Sequence, residues 1–443
     1  MLSRPGIPPH PWVVDVAVVV VGIGLGAAVG STVTTETRSQ LSQPGGPEIF
    51  LGSLSGMAGT YLALVMLLLV SRVPPVERVL GQDGLLRWHR RLAPWPLGLI
   101  GAHAVLLILG YALAAHIGVV HEASAMATSS ATMLAATVAV IVMIAIGVAS
   151  IHQIRRRMRR ETWWLLHLFM YLALALAFAH EVVLGPSFVA HPLARILWSV
   201  AWVAVAALVA VYRIGMPLVR TLRHRLQVQE VRPEAPGIVS VILSGRHLER
   251  LAVSGGQFFE WRFLTRGMWW QAHPFTLSAR PSPPYVRLTV KAVGDFTDAV
   301  GRLEPGTKVA IEGPYGAFTV HAWRRSRVAL LAGGIGVTAV RSLLEDLPLR
   351  SQPIVLLRAT SAEELVLDDE IAELARVRRG RVERILGPRH QVSMEREIVK
   401  HIPHFRTRDF FICGPEGFVN ECRRAMASLS VPKDAVHHEV YRL

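Results

Sequence analysis

The chain has 443 residues, 51% of them hydrophobic, and a formal net charge of +15, with a mean hydropathy of +0.38. That hydropathy is high for a soluble enzyme, and the length allows two or three domains. The only two cysteines, Cys413 and Cys422, lie in the C-terminal part, which argues against a disulfide framework, a zinc ribbon and a Cys-ligated iron–sulfur cluster. Much of the arginine lies beside apolar segments, so the charge indicates membrane topology and no nucleic-acid partner is predicted.

Six long apolar stretches occupy the first half of the chain. Each is long enough, or nearly so, to cross a bilayer as a helix. The first is not predicted to be a cleaved signal peptide, because only Arg4 precedes it as a basic residue and no clear small-residue cleavage site follows. The stretches lie near residues 11–30, 49–70, 90–115, 131–151, 162–184 and 191–212.

Arginine is concentrated in alternate loops between these stretches. The loops near 31–48, 116–130 and 185–190 contain one arginine, Arg38, and no lysine. Because cytoplasmic loops are enriched in Lys and Arg, both termini are predicted to be cytoplasmic. The other loops carry Arg72, Arg78, Arg87, Arg90 and Arg91 after the second stretch, Arg155, Arg156, Arg157, Arg159 and Arg160 after the fourth, and Arg213, Arg220, Arg223 and Arg225 after the sixth.

Two of the apolar stretches each carry a pair of histidines. His89 and His103 are 14 residues apart, and His167 and His180 are 13 apart, so each pair spans about 20 Å at the helical rise per residue. A bilayer core is about 30 Å thick, which puts one histidine of each pair near each face. A lone histidine in an apolar helix is more often a hydrogen-bonded core residue or a proton relay. Four of them at matched depth predict the axial ligands of two haem irons.

The two spacings differ in their helical phase. On an ideal helix, 14 residues keep His89 and His103 on one face, whereas 13 residues fall about 140° short of four turns. The helix with His167 and His180 is therefore bent or locally rewound, or the two haems are approached from different sides.

The composition changes after about residue 225. Short β-rich runs broken by Pro and Gly predict a small antiparallel barrel, and strands that alternate with helices then predict a parallel sheet. The predicted domains are a transmembrane domain at 1–225, an antiparallel β-barrel at 226–322 and an α/β domain at 323–443. The predicted strands lie at 239–243, 257–263, 286–290, 308–311, 328–331, 354–357, 382–386 and 410–412.

An ordered series of short motifs runs through this C-terminal half. Gly333, Gly334 and Gly336 lie between a predicted strand and a predicted helix. Glycines there let the backbone approach a pyrophosphate, and a helix N-terminus favours an anion, so the turn predicts a dinucleotide site. The other motifs are His273-Pro274-Phe275-Thr276-Leu277-Ser278, Lys291-Ala292-Val293-Gly294-Asp295-Phe296-Thr297, Glu312-Gly313-Pro314-Tyr315-Gly316 and Cys413-Gly414-Pro415.

The order and spacing of these motifs resemble the ferredoxin–NADP reductase superfamily over about residues 226–443. The resemblance implies that Phe275 packs on the flavin ring, Thr276 bonds near its N5 atom and His273 approaches the FAD phosphates. Taken singly, Phe275 has an alternative as a core residue and His273 as a surface residue. The residues implied to bind FAD or NADPH are His273, Pro274, Phe275, Thr276, Ser278, Lys291, Gly294, Phe296, Thr297, Gly333, Gly334, Gly336, Val337, Thr338, Arg358, Cys413, Gly414 and Pro415.

Several of these positions have two interpretations. Arg358 closes the second strand of the nucleotide domain, where a cation would meet the 2′-phosphate of NADPH; the alternative is an exposed loop arginine. Glu439 and Tyr441 fit the family's habit of ending with an aromatic ring over the flavin, which must move for nicotinamide to stack; the alternative for Tyr441 is a surface strand. Cys413 is implied to lie near the nicotinamide, or is a buried small hydrophobe. The predicted catalytic residues are Cys413, Thr276, Tyr441 and Glu439.

The membrane half resembles the ferric reductase-like transmembrane domain of NADPH oxidases and ferric reductases, which carry two b-type haems on paired histidines. The resemblance implies a multi-pass oxidoreductase of the plasma (inner) membrane. Electrons would pass from cytosolic NADPH through FAD and the two haems to an acceptor outside. The inner haem would be held by His89 and His167, and the outer by His103 and His180. The arginine clusters are topological anchors only, or Arg87, Arg90 or Arg91 also pairs with haem propionates.

The acceptor has more than one interpretation. Animal NADPH oxidases resemble one another in a second histidine one turn after the outer haem ligand, where this chain has Leu107, and in an arginine that the second apolar stretch lacks. An Fe(III) chelate therefore ranks slightly ahead of dioxygen. The alternatives are an electron donor to a periplasmic or surface redox protein, and a non-redox channel or scaffold. His116, His121 and Glu122 form a predicted outer-face cluster of ordinary loop residues or of ligands for a metal substrate.

Overall fold

The structure is a computed structural model of the chain and describes residues 11–33, 38–74, 76–77 and 82–441. The chain forms two compact units that divide between Arg213 and Ile214. This division comes before residue 225, the predicted end of the first domain. Arg4, Arg78 and the predicted start of that domain at residue 1 lie outside the described residues.

The first unit is helical. Among the described residues, six helices are long and apolar enough to cross a membrane, as predicted. Their spans are Asp15–Val33, Gly46–Val70, Gly84–Ala115, Ala131–Ala149, Glu161–Leu184 and Pro192–His224. The helices are α1 (Pro11–Val33), α2 (Arg38–Leu41), α3 (Gly46–Val70), α4 (Gln82–Leu92), α5 (Pro94–Ala115), α6 (Val119–Thr128), α7 (Ala131–Ala149), α8 (His152–Arg155), α9 (Arg160–Leu184), α10 (Pro186–Ala190) and α11 (Pro192–Ala210).

Small residues bring the backbones of α3 and α5 together. A Cβ on Gly52 would lie 2.9 Å from the Leu107 side chain, and one on Gly59 would lie 2.9 Å from Ile100. Large apolar side chains instead face outward, such as Val203, which is 63% exposed. Close packing through small residues, with apolar side chains left for lipid, is the pattern of membrane helices.

The third span carries both His89 and His103, in two helical segments that meet at Ala93. Pro94 and Pro96 have no N–H group, so the backbone bonds that would join the segments are missing, although Ala93 keeps helical dihedral angles (φ −51°, ψ −38°). In contrast, α9 is a regular α-helix from Arg160 to Leu184. Local rewinding therefore does not explain the 13-residue spacing on α9.

The last span is longer than the predicted stretch at 191–212. After α11, one π-helical turn (Val211–Gly215) leads into α12 (Met216–His224), which belongs to the second compact unit. The Thr221 hydroxyl accepts a hydrogen bond from the Ile311 N–H group at 3.3 Å, and the Arg220 guanidinium donates to the Gly313 carbonyl. These contacts attach α12 to the sixth strand of the barrel.

Two three-stranded antiparallel sheets form the predicted barrel, with strand orders β1-β2-β5 and β4-β3-β6. The alternating pattern of β3 buries Phe259, Trp261 and Phe263 completely in the core between the sheets. The strands are β1 (Gln227–Ala235), β2 (Ile238–Ser244), β3 (Phe258–Phe263), β4 (His273–Thr276), β5 (Tyr285–Lys291) and β6 (Val309–Tyr315), with α13 (Asp295–Val300) after β5.

The α/β part contains one parallel sheet of five strands in the order β11-β10-β7-β8-β9. Its central strands, β7 and β10, are almost wholly buried apolar runs, as expected for a sheet covered by helices on both faces. The elements are β7 (Arg327–Gly333), α14 (Val337–Asp346), β8 (Ile354–Ala359), α15 (Asp368–Val377), β9 (Arg381–Leu386), α16 (Met394–His401), β10 (Arg408–Pro415), α17 (Glu416–Ser428) and β11 (Val436–Tyr441).

Candidate functional site

The predicted nucleotide motifs meet at one point of the parallel sheet. From β7 the chain proceeds outward to β8 and β9 on one side, whereas β10 returns to the other side of β7. Cys413 pairs in register with Ala332, so Cys413-Gly414-Pro415 lies beside the glycine turn that follows β7. In open parallel sheets, ligands bind at the carboxyl ends of the strands where the strand order reverses. Both motifs lie at that point.

The glycines of this turn fall into two groups. A Cβ on Gly336 would overlap the Cys413 carbonyl, and Cβ atoms on Gly333 and Gly414 would lie under 3 Å from Phe418. These three glycines allow the turn, β10 and α17 to pack closely. Gly334 differs, since it has φ +53° and open space where a Cβ would point. Gly334 is therefore the position at which a dinucleotide has room to approach the backbone.

Tyr441 joins the barrel to the nucleotide domain. Its hydroxyl lies 2.8 Å from the Thr276 hydroxyl, at the end of β4, and 3.5 Å from the Thr338 hydroxyl, in α14. Cys413 lies close by on β10, in register with Glu439 of β11. The structure therefore brings together the four predicted catalytic residues, which come from distant parts of the sequence.

Burial controls the ionisation of this cluster. Desolvation raises the pKa of the Cys413 thiol, and the nearby Glu439 carboxylate raises it further. Burial also raises the pKa of the Tyr441 phenol well above its ordinary value. Both groups are therefore neutral at physiological pH, and Cys413 is a thiol rather than a thiolate nucleophile.

An aromatic stack forms the predicted flavin side of the barrel. The His273 ring stacks on Phe296 at 3.7 Å between centroids, and the Phe275 ring lies nearly parallel to Phe296 at 6.4 Å. Beside them, the Thr297 hydroxyl accepts hydrogen bonds from the Val293 and Gly294 N–H groups at 2.8 and 3.1 Å. The Thr297 side chain thus orders the turn that the motif resemblance assigns to the FAD pyrophosphate.

Two predicted cofactor residues of the barrel have protein partners. Ser278 is fully buried, and its hydroxyl accepts from Arg287 Nε at 3.0 Å and from the Thr289 hydroxyl at 2.9 Å. Lys291 Nζ lies 3.9 Å from Glu364 Oε1. The side chain of Ser278 therefore supports the barrel interior, and its contact with FAD stays a prediction.

Arg358 lies at the carboxyl end of β8, as predicted, and its guanidinium contacts backbone carbonyls. It donates to the Gly387 carbonyl at 2.5 Å, to the Ile385 carbonyl at 3.3 Å and to the Ala359 carbonyl. These bonds fix the cation at the sheet edge where the ribose of a dinucleotide lies in this fold class. Its role toward a 2′-phosphate stays a prediction.

The four membrane histidines form two pairs across helices. The first histidine pair, His89 and His167, has ring centroids 6.3 Å apart and an interplanar angle of 74°. The second histidine pair, His103 and His180, follows the first by 14 and 13 residues, about 20 Å further along the same two spans. Each pair takes one member from the third span and one from α9, as the matched depths predicted.

The residues fit haem iron as an axial-ligand set. A metal–imidazole bond is about 2 Å long, so the 6.3 Å between the ring centroids of the first pair would leave room for one metal ion between the two imidazoles. Nδ1 of His89, His167 and His180 is buried without a hydrogen-bond partner among the described residues. His103 Nδ1 lies 2.8 Å from the Gly52 carbonyl, the arrangement that leaves Nε2 for a metal.

Several contacts around the histidines were not predicted. Trp163 stacks on the His167 ring at 4.9 Å, and the Arg155 guanidinium lies 4.1 Å from the centre of the Trp163 ring. Gly52 and Gly56 of α3 meet His103. The only sequence signal for the glycines was their Gly-x-x-x-Gly spacing in an apolar stretch, which is typical of close helix packing.

The predicted cluster at the other end of α5 does not form a metal site. His116 ends α5 with a left-handed backbone, and His121 and Glu122 lie in the first turns of α6. Within the part of the chain that the structure describes, no group of three His, Cys, Asp or Glu residues could hold a metal ion. His121 and Glu122 are therefore helical and not loop residues, whereas His116 lies at the end of α5.

Fold and site define a class of membrane protein in which a helix bundle with paired histidines precedes a reductase-type flavin and nucleotide fold. Residues 55–178 match the family model of the ferric reductase like transmembrane component, and residues 238–319 match that of an FAD-binding domain. Residues 55–178 are thus ferric reductase-like, and an FAD-binding domain follows them at 238–319, which confirms the predicted resemblance.

Curated relatives align over parts of the chain. An NADPH oxidoreductase of Mycobacterium tuberculosis is 30% identical over 42% of this chain and 51% of its own length. The heavy chain of a superoxide-generating NADPH oxidase of Dictyostelium discoideum is 26% identical over 47% of this chain and 41% of its own length. The FAD/NAD-binding domain of a Vibrio cholerae nitric oxide dioxygenase aligns with 49% of this chain and 99% of its own, at 20% identity and a TM-score of 0.42. The chain spans about half or less of the two curated relatives.

Proposed function

We propose that this protein passes electrons from NADPH, through FAD and two b-type haems, to an acceptor on the opposite side of a membrane. The observation that carries the proposal is the pairing of four membrane histidines across two spans, in a chain that continues into an FAD-binding and nucleotide fold. NADPH supplies a hydride, FAD exchanges one or two electrons, and haem iron carries one electron at a time.

The residues around Tyr441 provide the meeting place of the nicotinamide and the flavin. Thr276 belongs to the barrel, whereas Thr338 and Cys413 belong to the nucleotide domain. The Tyr441 hydroxyl is tied to Thr276, so the ring would have to move for the nicotinamide to stack on the flavin. The neutral Cys413 thiol supplies a small apolar wall without a competing nucleophile.

The two histidine pairs hold the haems in an apolar environment. The first pair holds the inner haem and the second pair the outer haem. The surrounding helices keep water away from both pairs, so ligand hydrogen bonds and nearby charges set the potentials. Arg87, Arg90 and Arg91 lie in or beside the helical turns around His89, where they can pair with the propionates of the inner haem.

The arginine distribution supports the orientation. The loops that precede α4 and α9 are arginine-rich, and the loops at the other ends of these spans are not. We infer that both termini and the FAD and NADPH domains lie in the cytoplasm of a cell whose plasma (inner) membrane holds the protein. Electrons therefore move outward, and each carries a charge whose transfer costs about 2.3 kcal/mol per 100 mV.

An Fe(III) chelate is our first candidate for the outer acceptor, ahead of dioxygen. Leu107 packs against Gly52 at the position where animal NADPH oxidases resemble one another in having a histidine. No polar group from this side chain is therefore available to a small oxygen species at the outer haem. The relative described as superoxide-generating keeps dioxygen as the second candidate.

Steady-state turnover with separate acceptors tests the proposal. The purified protein is supplied with NADPH and either an Fe(III) chelate under argon or dioxygen with and without superoxide dismutase. We expect chelate reduction that does not require oxygen. Oxidation of NADPH without reduction of either acceptor, in protein that contains flavin and haem, would favour a protein partner as the acceptor.

A further inference from the structure

One face of α3 contacts His103 and also Glu181, the residue that follows His180, although α3 carries no histidine itself. His103 Nδ1 lies 2.8 Å from the Gly52 carbonyl. The His103 ring also rests on Gly56, where a Cβ would overlap Nδ1. Gly52 and Gly56 are one helical turn apart, so together they form a notch that fits this imidazole.

The next turn of the same face of α3 contacts Glu181, the residue that follows His180. Thr60 Oγ1 lies 2.8 Å from Glu181 Oε1, and Glu181 directly follows His180 in α9. The same Thr60 hydroxyl lies 2.5 Å from the Gly56 carbonyl. Gly52, Gly56 and Thr60 are spaced by four residues and share one face of the helix.

The groups in this chain of contacts are buried. Thr60 is 8% exposed, and Glu181 Oε2 is buried. Polar and ionisable groups inside a membrane bundle are costly and mark functional positions. A contact that holds Glu181 therefore also fixes the turn of α9 that presents His180.

The first histidine pair is held in a different way. The His167 ring stacks on Trp163, whose ring also contacts the Arg155 guanidinium, and the Nδ1 atoms of His89 and His167 have no hydrogen-bond partner among the described residues. In the second pair, His103 Nδ1 lies within hydrogen-bond distance of the Gly52 carbonyl. Such a bond fixes the tautomer, leaves Nε2 free for a metal and raises the basicity of the ligand.

We propose that Gly52, Gly56 and Thr60 form a positioning face that orients His103 and His180 as ligands of the outer haem and lowers its potential relative to an unbonded pair. This inference rests on the proposed two-haem function. A more basic ligand stabilises Fe(III), so a weakened contact with α3 raises the potential of the outer haem. The inner haem should keep its properties, because the hydrogen bonds of Gly52 and Thr60 in the described structure lead to His103 and Glu181 and not to His89 or His167.

The notch is tested with Gly56→Ala and, as a matched control, Gly101→Ala, since a Cβ on Gly101 meets nothing within 4 Å. Full-length protein is purified, its haem is counted, and low-temperature EPR and a redox titration follow the two low-spin haems separately. We expect Gly56→Ala to lose one haem, in keeping with the roughly 10–100-fold weaker binding typical of altered ligand support, or to raise its potential. Gly101→Ala should match the wild type. Two unchanged haems in Gly56→Ala would overturn the proposal.

Thr60→Val and Thr60→Ser provide an independent test, which remains valid even if Gly56→Ala does not fold. Valine keeps the shape of threonine and removes the hydroxyl, whereas serine keeps the hydroxyl. We expect Thr60→Val to raise the midpoint potential of one haem only, by about 59 mV for a tenfold change in the one-electron equilibrium, and Thr60→Ser to restore it. Equal potentials in Thr60→Val and the wild type would overturn the role of Thr60. A wild-type protein with fewer than two haems would overturn the proposed function itself.

Discussion

The hydroxyl of Tyr441, from the last strand of the sheet, lies 2.8 Å from the hydroxyl of Thr276, from the barrel. The two residues are separated by 165 positions in the sequence, and the bond between them closes the junction of the flavin and nucleotide domains. Because nicotinamide must displace the Tyr441 ring in the proposed mechanism, this bond opposes NADPH binding.

Removal of that bond should tighten the apparent binding of NADPH. Tyr441→Phe keeps the ring and loses the hydroxyl, and a typical hydrogen bond contributes about 1 kcal/mol, so we expect the KM for NADPH to fall roughly fivefold. Thr276→Val should lower the KM similarly, since it removes the other partner. Flavin reduction under argon with varied NADPH measures the effect. A higher KM in Tyr441→Phe would contradict a closing role for this bond.

The two kinds of glycine in the nucleotide turn should respond differently to alanine. At Gly336 a Cβ would overlap the Cys413 carbonyl, so Gly336→Ala should lower the melting temperature and flavin content. At Gly334 the space is open but φ is +53°; alanine there costs about 1–2 kcal/mol and occupies the space proposed for the dinucleotide. Gly334→Ala should therefore raise the KM for NADPH, and it should lower the melting temperature less than Gly336→Ala does. Equal losses of stability in both variants would contradict the distinction.

Coenzyme preference tests Arg358. A hydrogen bond to a charged group contributes roughly 1.5–3 kcal/mol, so Arg358→Ala should raise the KM for NADPH about tenfold or more and leave the KM for NADH nearly unchanged. The comparison of the two coenzymes separates this role from the bonds that Arg358 makes to the Gly387 and Ile385 carbonyls. An equal rise in the KM for NADPH and for NADH would mean that Arg358 only supports the edge of the sheet.

Acid should weaken the nucleotide domain through Asp409. Burial by itself raises the pKa of this carboxyl, but the His437 imidazole and the N–H groups of Arg325 and Arg324 lower the pKa to about 2. Because the folded pKa lies below the ordinary aspartate pKa of 3.8, the stabilisation from Asp409 is complete above pH 3.8 and is lost as pH falls toward 2.

Asp409→Asn tests this prediction, and Asp434→Asn is its control. Asp409 is fully buried, and loss of one partner of a buried ion pair costs about 3 kcal/mol, so Asp409→Asn should be strongly destabilised at neutral pH. Asp434 is 61% exposed and contacts the same Arg325, so its loss should cost under about 1 kcal/mol. Chemical unfolding of the full chain between pH 3 and 8 measures both. If the free energy of unfolding that Asp409→Asn loses relative to the wild type grew below pH 4, the stabilising role of the Asp409 carboxylate would be contradicted.

The order of local motifs was enough to predict the membrane spans and the two domains that follow them. The apolar stretches, the glycine turn and the Cys413 motif each have a signal within a few residues, and the fold brings Thr276, Cys413 and Tyr441 together as the motif order implied. The spacing of the histidines likewise predicted their pairing between the third span and α9.

Contacts between helices had no such local signal. The contact of His103 with Gly52 depends on the depth and rotation of α3 against α5, which the sequence pattern of either helix does not determine. The stacking of Trp163 on His167 joins adjacent turns of α9, yet an aromatic residue at helical spacing is more often a core residue. The extension of the last helix to His224 was missed because arginines there ended the apolar stretch.

The most direct test of the central claim is to count haem and flavin in the purified protein and then add NADPH under argon. We predict two low-spin bis-histidine haems for each FAD, both reduced by NADPH. In His103→Leu we expect that the flavin and the inner haem are still reduced, while electron transfer to outside acceptors is lost. A protein with one haem or none, or with haems that stay oxidised while NADPH reduces the flavin, would contradict a path for electrons across the membrane.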